Sequence, residues 1–127
     1  MAGYKVAKID DIEGGYGGAF KKVRATLGIS AFGIQVIDIP PNADAYPEHD
    51  HASDGQEEVY TALRGSATIL IDGQSFTLDS DHVIAVQPGT TRKVVTGETG
   101  VRLLIIGGVA GQAYEAPAIT ELDGAAA

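Results

Sequence analysis

The sequence contains no cysteine, which removes disulfides, thiolate nucleophiles and cysteine-bound zinc. Positive charge is scarce too: nine Lys and Arg stand against 17 Asp and Glu, a formal net charge of −8. A surface of that sign repels phosphate backbones and anionic lipid faces, so neither nucleic acid nor a membrane is an expected partner. Long apolar runs are also missing. The longest, near Leu103–Gly108, is too short to cross a bilayer. From Met1 to Gly15 the charges of Lys5, Lys8, Asp10, Asp11 and Glu13 break any secretory-leader pattern, and a cytoplasmic location is the expectation. Nowhere does an apolar residue recur every three to four positions for two turns, so little helix is expected.

What is present describes a small β domain. With 127 residues, 44% of them apolar and 20% charged, the chain suits one globular domain over 1–127. Folding at this length buries about two thirds of the surface of the extended chain, enough for one core. Val, Ile and Thr dominate short runs separated by glycines, a composition that suits pleated, half-buried strands. Strands are expected near Tyr4–Ile9, Lys21–Leu27, Phe32–Ile39, Glu57–Leu63, Ala67–Ile71, Ser75–Leu78, Val83–Val86, Arg92–Thr96 and Val101–Ile106. Asp72-Gly73 is the strongest hairpin signal, because both central positions of that turn need positive φ. Many short strands predict a sandwich or barrel, with its core over about 20–108. A flexible tail is expected over about 119–127.

Two of these runs, Val101–Ile106 and Val83–Val86, are apolar on both faces and need cover on both. In a chain this short a second subunit is the natural cover, so a homodimer is expected. The cluster Gly14-Gly15-Tyr16-Gly17-Gly18 fails both phosphate-loop patterns: Phe20 stands where the dinucleotide pattern needs glycine, and no lysine-serine pair follows. It reads as a flexible β-connection. No Gly-x-Ser-x-Gly elbow or other nucleophile arrangement can be picked out.

The chemistry concentrates in Pro47-Glu48-His49-Asp50-His51 and Gly55-Gln56-Glu57-Glu58-Val59-Tyr60. On an extended strand, positions i and i+2 share a face about 6.6 Å apart. Two imidazoles so placed can converge on one metal, and a carboxylate from a neighbouring strand completes two nitrogens and one oxygen with positions left open. Tyr60 falls on the face of Glu58 and is a candidate pocket-lining hydroxyl, while Gln56 could lend an amide oxygen. Glu48, Asp50, Asp54 and Glu57 read as solvated charges at the mouth. His82, in a turn before an apolar strand, reads as a surface residue, and Lys21-Lys22-x-Arg24 as a polar strand face.

His49-x-His51, then Glu58, six residues and Gly65, resembles the first motif of the cupins, G-x5-H-x-H-x(3–4)-E-x6-G. The run Glu57–Gly65 is similar to the cupin strand with its closing turn. Ser66 to Ser80 gives an inter-motif spacing like that of small microbial cupins. The resemblance spans about residues 34 to 106. It implies an all-β, double-stranded β-helix (jelly-roll) barrel with inward ligands, commonly a dimer. It also implies a divalent metal, iron, manganese, nickel or zinc, on His49, His51 and Glu58.

The departures matter equally. Ala43 replaces the opening glycine, and the gap from His51 to Glu58 is longer than in the family, which predicts an extra loop over Ala52-Ser53-Asp54-Gly55. In the second motif, G-x5-P-x-G-x2-H-x3-N, Asp81, Gln87, Arg92 and Thr96 replace four positions and only Gly89 fits. A guanidinium has no lone pair for a metal. Arg92 therefore either pairs with Glu58 and leaves a metal-free polar pocket, or holds the carboxylate of an anionic ligand bidentately.

Three readings follow. One is a pocket that binds a divalent metal, a small organic ligand, or both. A second is a metal-dependent enzyme of dioxygenase or isomerase type acting on a small organic acid, with Tyr60 or a water carrying a proton. The third is a metal-free, non-catalytic binding or structural dimer in which Arg92 neutralises Glu58.

Overall fold

A computed structural model describes residues 3–123. In chain order its elements begin with β1 (Gly14–Gly15), β2 (Phe20–Lys21), the short helix α1 (Val23–Leu27) and β3 (Gly33–Ile39). β4 (Gln56–Gly65), β5 (Ala67–Ile71), β6 (Gln74–Leu78) and β7 (Ile84–Val86) follow, then β8 (Arg92–Val95) and β9 (Val101–Val109). They form two antiparallel sheets, one ordered β1-β2-β3-β9-β4-β7 and one ordered β6-β5-β8. The β5–β6 hairpin turns at Asp72 (φ 50°) and Gly73 (φ 79°), the positive values that the dipeptide predicts.

Strand periodicity builds one core between the sheets. Ile39, Tyr60, Leu103 and Ile105 from the large sheet meet Ile69, Leu78 and Val94 from the small one. Each fully buried aliphatic here is worth about 1.5–3 kcal/mol over its exposed state. β4 ends at Gly65, whose φ is +74° and where a Cβ would run into the carbonyl oxygen of Gly100. Only glycine fits there, which explains the residue that closes the first motif.

The outer face of the large sheet has its own cover. Ile12, Val23 and Val36 form a second cluster, with Ala7, Ile9, Leu27, Ile34 and Leu104 packed against it. Two expected strands are therefore corrected. Val23–Leu27 is a helix: Val23 and Leu27 lie one turn apart, so helical geometry sets both on the sheet, and Gly28 (φ 72°) ends it. Tyr4–Ile9 pairs with no strand; Tyr4 and Val6 are exposed while Ala7 and Ile9 dock from outside. The remaining outer face is open at Val59 (41% exposed) and Ile106 (36%), which are cross-strand partners.

The tail was expected to fray from 119. Within it, Glu121 pairs with Arg24 at 2.8 Å, and the Asp123 amide donates to Glu13 at 2.7 Å. Residues 124–127 lie outside the described residues. The glycine cluster forms the β1–β2 hairpin, with Tyr16, Gly17 and Gly18 at positive φ. Among the described residues no helix is long and apolar enough to cross a membrane.

Candidate metal centre

His49 and His51 sit on a stretch that pairs with β8 rather than on a named strand. The His49 amide donates to the Arg92 carbonyl at 3.0 Å, the Arg92 amide returns the bond at 2.9 Å, and the His51 amide donates to Pro88 at 2.7 Å. This extended backbone brings the two rings to a centroid distance of 5.1 Å. Glu58 comes from the other sheet, on the inner face of β4 opposite Gly107 of β9. A Cβ at Gly107 would press on the Gln56 amide oxygen at 2.8 Å, so glycine there leaves room for the side chains of β4.

The outer nitrogens of both imidazoles are engaged. His49 Nδ1 lies 3.0 Å from the Pro47 carbonyl, which can only accept, so Nδ1 carries the proton. His51 Nδ1 lies 3.1 Å from both oxygens of Asp54 and donates to them in the same way. In a neutral ring this leaves Nε2 with a lone pair. The His51 and His49 Nε2 atoms are 3.1 and 3.9 Å from Glu58 Oε1. All three ligating atoms lie within 4.8 Å of one another. Donors at right angles around a cation, each bonded at about 2.1 Å, lie about 3.0 Å apart. The His51–Glu58 spacing of 3.1 Å fits that geometry, and the His49 spacing of 3.9 Å is wide for it, so the His49 ring must move inward to share an ion.

His51 Nε2 is buried and makes no hydrogen bond among the described residues despite its closeness to Glu58. Two acceptors facing each other at that distance require a cation between them, either a proton or a metal. The side chains agree. Glu58 draws the His51 pKa upward, against the opposing effect of burial and with help from Asp54. Burial pushes the Glu58 carboxyl up, but the His49 and His51 imidazoles and the Tyr60 hydroxyl beside it outweigh that and hold the group well below the usual carboxylate range.

Around these three residues the expected ligand-binding side chains take different places. Gln56 lines the cavity, with its amide nitrogen donating to Asp54 at 3.0 Å. Tyr60 and Arg92 are fully buried and do not line it. The Tyr60 hydroxyl donates to Glu58 Oε1 at 2.8 Å, and burial drives its pKa upward, so it is a fixed donor and a poor proton shuttle. Arg92 Nη2 donates to the Val86 and Gln87 carbonyls at 3.4 and 3.2 Å, and Nη1 stops 4.0 Å from Glu58 Oε1. Arg92 thus neither forms a fork with Glu58 nor reaches the cavity. His82 pairs with Asp79 at the surface, away from this group.

The cavity has a volume of about 190 Å³ and is bounded by Phe20, Gln35, Ile37, Tyr46 and Ile105 as well as the ligating side chains. Burial raises the Tyr46 phenol to about 12. The C-terminal segment supplies a further wall with Tyr114, Pro117, Ile119 and Thr120. A larger open cleft, about 570 Å³, lies beside Asp38, Arg64 and Arg102. Size does not decide between them: Arg102 and Asp38 are already paired with each other, whereas the smaller cavity is lined by the three residues that could hold a metal ion.

No family model matches the sequence and no curated relative does. Solved structures do resemble it. A cupin protein from Bacteroides fragilis superposes with a TM-score of 0.72 at 20% identity, covering 96% of this chain and 97% of its own. The chain has a cupin fold. A sugar phosphate isomerase of the cupin superfamily from Silicibacter pomeroyi gives a TM-score of 0.69 at 18% identity over 89% of this chain and 77% of that one. A cupin 2 conserved barrel domain protein from Salinispora arenicola gives 0.56 at 21%, over 64% and 66%.

Set on the cupin scaffold, three residues that mattered were not legible as such. Asp54 reads as a solvated charge, yet its amide and that of Gly55 donate to the His51 carbonyl at 3.2 and 2.8 Å, folding the inserted loop so that the carboxylate returns to the ring. An Asp-Gly pair three residues after a histidine is the signal that could have found it. Tyr46 and Gln35 carried no motif.

Proposed function

We propose that this cupin-fold protein binds a divalent metal through His49 Nε2, His51 Nε2 and Glu58, with the cavity side of the ion left for a small organic ligand. The observation that carries this is the pair of Nδ1 contacts, to the Pro47 carbonyl and the Asp54 carboxylate, which in neutral rings leave both Nε2 lone pairs facing Glu58. Two nitrogens and one oxygen with open positions suit iron, manganese, nickel or zinc, and are typical of non-haem iron sites. A cation held there supplies Lewis acidity, or oxygen chemistry if it is iron.

The chain's own groups set the terms. Asp54 fixes the His51 ring, Tyr60 fixes one oxygen of Glu58, and the apolar walls thin out water around the ligand. Arg92, a buried cation behind Glu58, opposes a dication and tunes its affinity downward. An enzyme of isomerase or dioxygenase type on a small organic acid is the catalytic form of this reading. One cupin-fold neighbour is a sugar phosphate isomerase, which supports the isomerase branch as a first assay. The two sheets around one core serve as the jelly-roll container, and the open Val59–Ile106 patch as a homodimer contact.

Elemental analysis of untagged protein tests the metal. One equivalent in the wild type, lost in His49→Ala and His51→Ala, is the expected result. A metal-free wild type that stays empty after incubation with iron(II), manganese(II), nickel(II) and zinc(II) would leave the Arg92–Glu58 pairing as the better account.

A further inference from the structure

Gln35 lines the cavity from the inner face of β3, opposite Ile105 of β9, and is only 8% exposed. Its oxygen is committed: Oε1 accepts the amide hydrogen of Val23, the first residue of α1, at 3.0 Å. That bond fixes which way the amide faces, because the flipped group would set N–H against N–H. The nitrogen is therefore turned away from the helix. Nε2 is buried and has no partner among the described residues.

A buried amide donor left unpaired carries its full desolvation penalty, and native interiors seldom keep one without a ligand or water to take it. Apolar packing alone would be served by leucine or methionine at this position. Of the side chains lining the cavity, Gln35 has a buried amide donor lacking a partner among the described residues, whereas His51 Nε2, buried likewise, faces Glu58 at 3.1 Å. Apolar side chains, Phe20, Ile37, Ile105, Pro117 and Ile119, supply much of the remaining wall. The volume of about 190 Å³ holds about six waters or one small molecule.

We propose that Gln35 is a ligand-binding residue, whose amide nitrogen donates to an oxygen of a small organic ligand that has an apolar middle and its other polar end at His49, His51 and Glu58. The inference rests on the metal-and-ligand reading above for the second end of the molecule, and it adds the class of ligand: one with two oxygen-bearing ends, not a simple hydrophobe or a lone anion.

The test uses two acids matched in length and branching, 4-oxopentanoate and 4-methylpentanoate, which differ by a carbonyl oxygen in place of a methyl. Each is titrated calorimetrically into nickel-loaded and into metal-free wild type, with nickel content measured in parallel. The expected result is that the oxo acid binds at least about tenfold tighter, although it is the less hydrophobic of the two. Gln35→Glu keeps an oxygen for the Val23 amide while replacing the donor by an acceptor, and should abolish the preference. Gln35→Met is the second variant and should reverse it toward the methyl acid. Equal binding of the pair by wild type, binding of neither acid to either form, or a preference that survives in Gln35→Met would overturn the proposal. Absence of nickel from the wild type would count against the metal alone, because the preference is also read in metal-free protein.

Discussion

Two charged clusters lie near opposite ends of β9, about 17 Å apart along it, the first on the six-stranded sheet and the second spanning both sheets, and they are assembled by opposite rules. At the Val101 end, Arg102 Nε donates to Asp38 Oδ1 at 2.7 Å, and Nη2 donates to Asp38 Oδ2 at 3.0 Å and Asp10 Oδ1 at 2.6 Å. The guanidinium ties an N-terminal turn to two strands. At the Gly107 end, Arg92 leaves Nε and Nη1, His51 leaves Nε2, and Gln35 leaves its amide nitrogen without partners among the described residues. A polar network whose members satisfy one another adds rigidity and has nothing left to offer. One that keeps lone pairs and donors unspent in a cavity gives up stability and retains the capacity to bind. On the proposed reading, the first cluster serves the fold and the second the binding of metal and ligand.

Substitutions can break that contrast, beginning with the largest effect. Asp54→Ala should weaken nickel binding by about 10- to 100-fold in calorimetry, since the acceptor that orients the His51 ring is gone. Arg92→Met should strengthen it by about tenfold, because a fixed positive charge near the ion is removed while the buried volume is kept. Unchanged affinity in Arg92→Met would mean the guanidinium does not feel the site. Tyr60→Phe removes one hydrogen bond to Glu58 and should cost about 1 kcal/mol, read as a severalfold weaker nickel isotherm.

Arg102→Met sharpens the comparison from the other side. Nickel content should not change, while thermal stability falls. The pH dependence carries the sign. Arg102 lowers the carboxyls of Asp10 and Asp38 below their ordinary values, so their contribution is present above about pH 4 and is lost as pH falls through the folded-state values. Wild type should therefore lose stability below about pH 4 more steeply than Arg102→Met, as measured by unfolding midpoints across that range.

How far the sequence carries depends on the distance over which each feature is encoded. His49, His51, Glu58 and Gly65 are readable because spacing along extended chain sets their faces directly. The Asp72-Gly73 hairpin is local in the same sense. Parity also sets Tyr60 on the correct face but says nothing of depth, which is why it and Arg92 stand behind Glu58 and not in the cavity wall. The α1 helix escaped because five residues give too short a pattern, and its stability comes from packing on β3. Gln35 and the wall from Tyr114 to Thr120 depend on contacts between segments far apart in the chain, which no local pattern reports.

X-ray absorption at the nickel edge, on wild type loaded with one equivalent, reads the ligands of the ion themselves. The account predicts a first shell of nitrogen and oxygen at about 2.1 Å with the outer-shell scattering of two imidazoles, falling to one in His51→Ala. A spectrum without imidazole scattering, or one identical in His51→Ala, would contradict it.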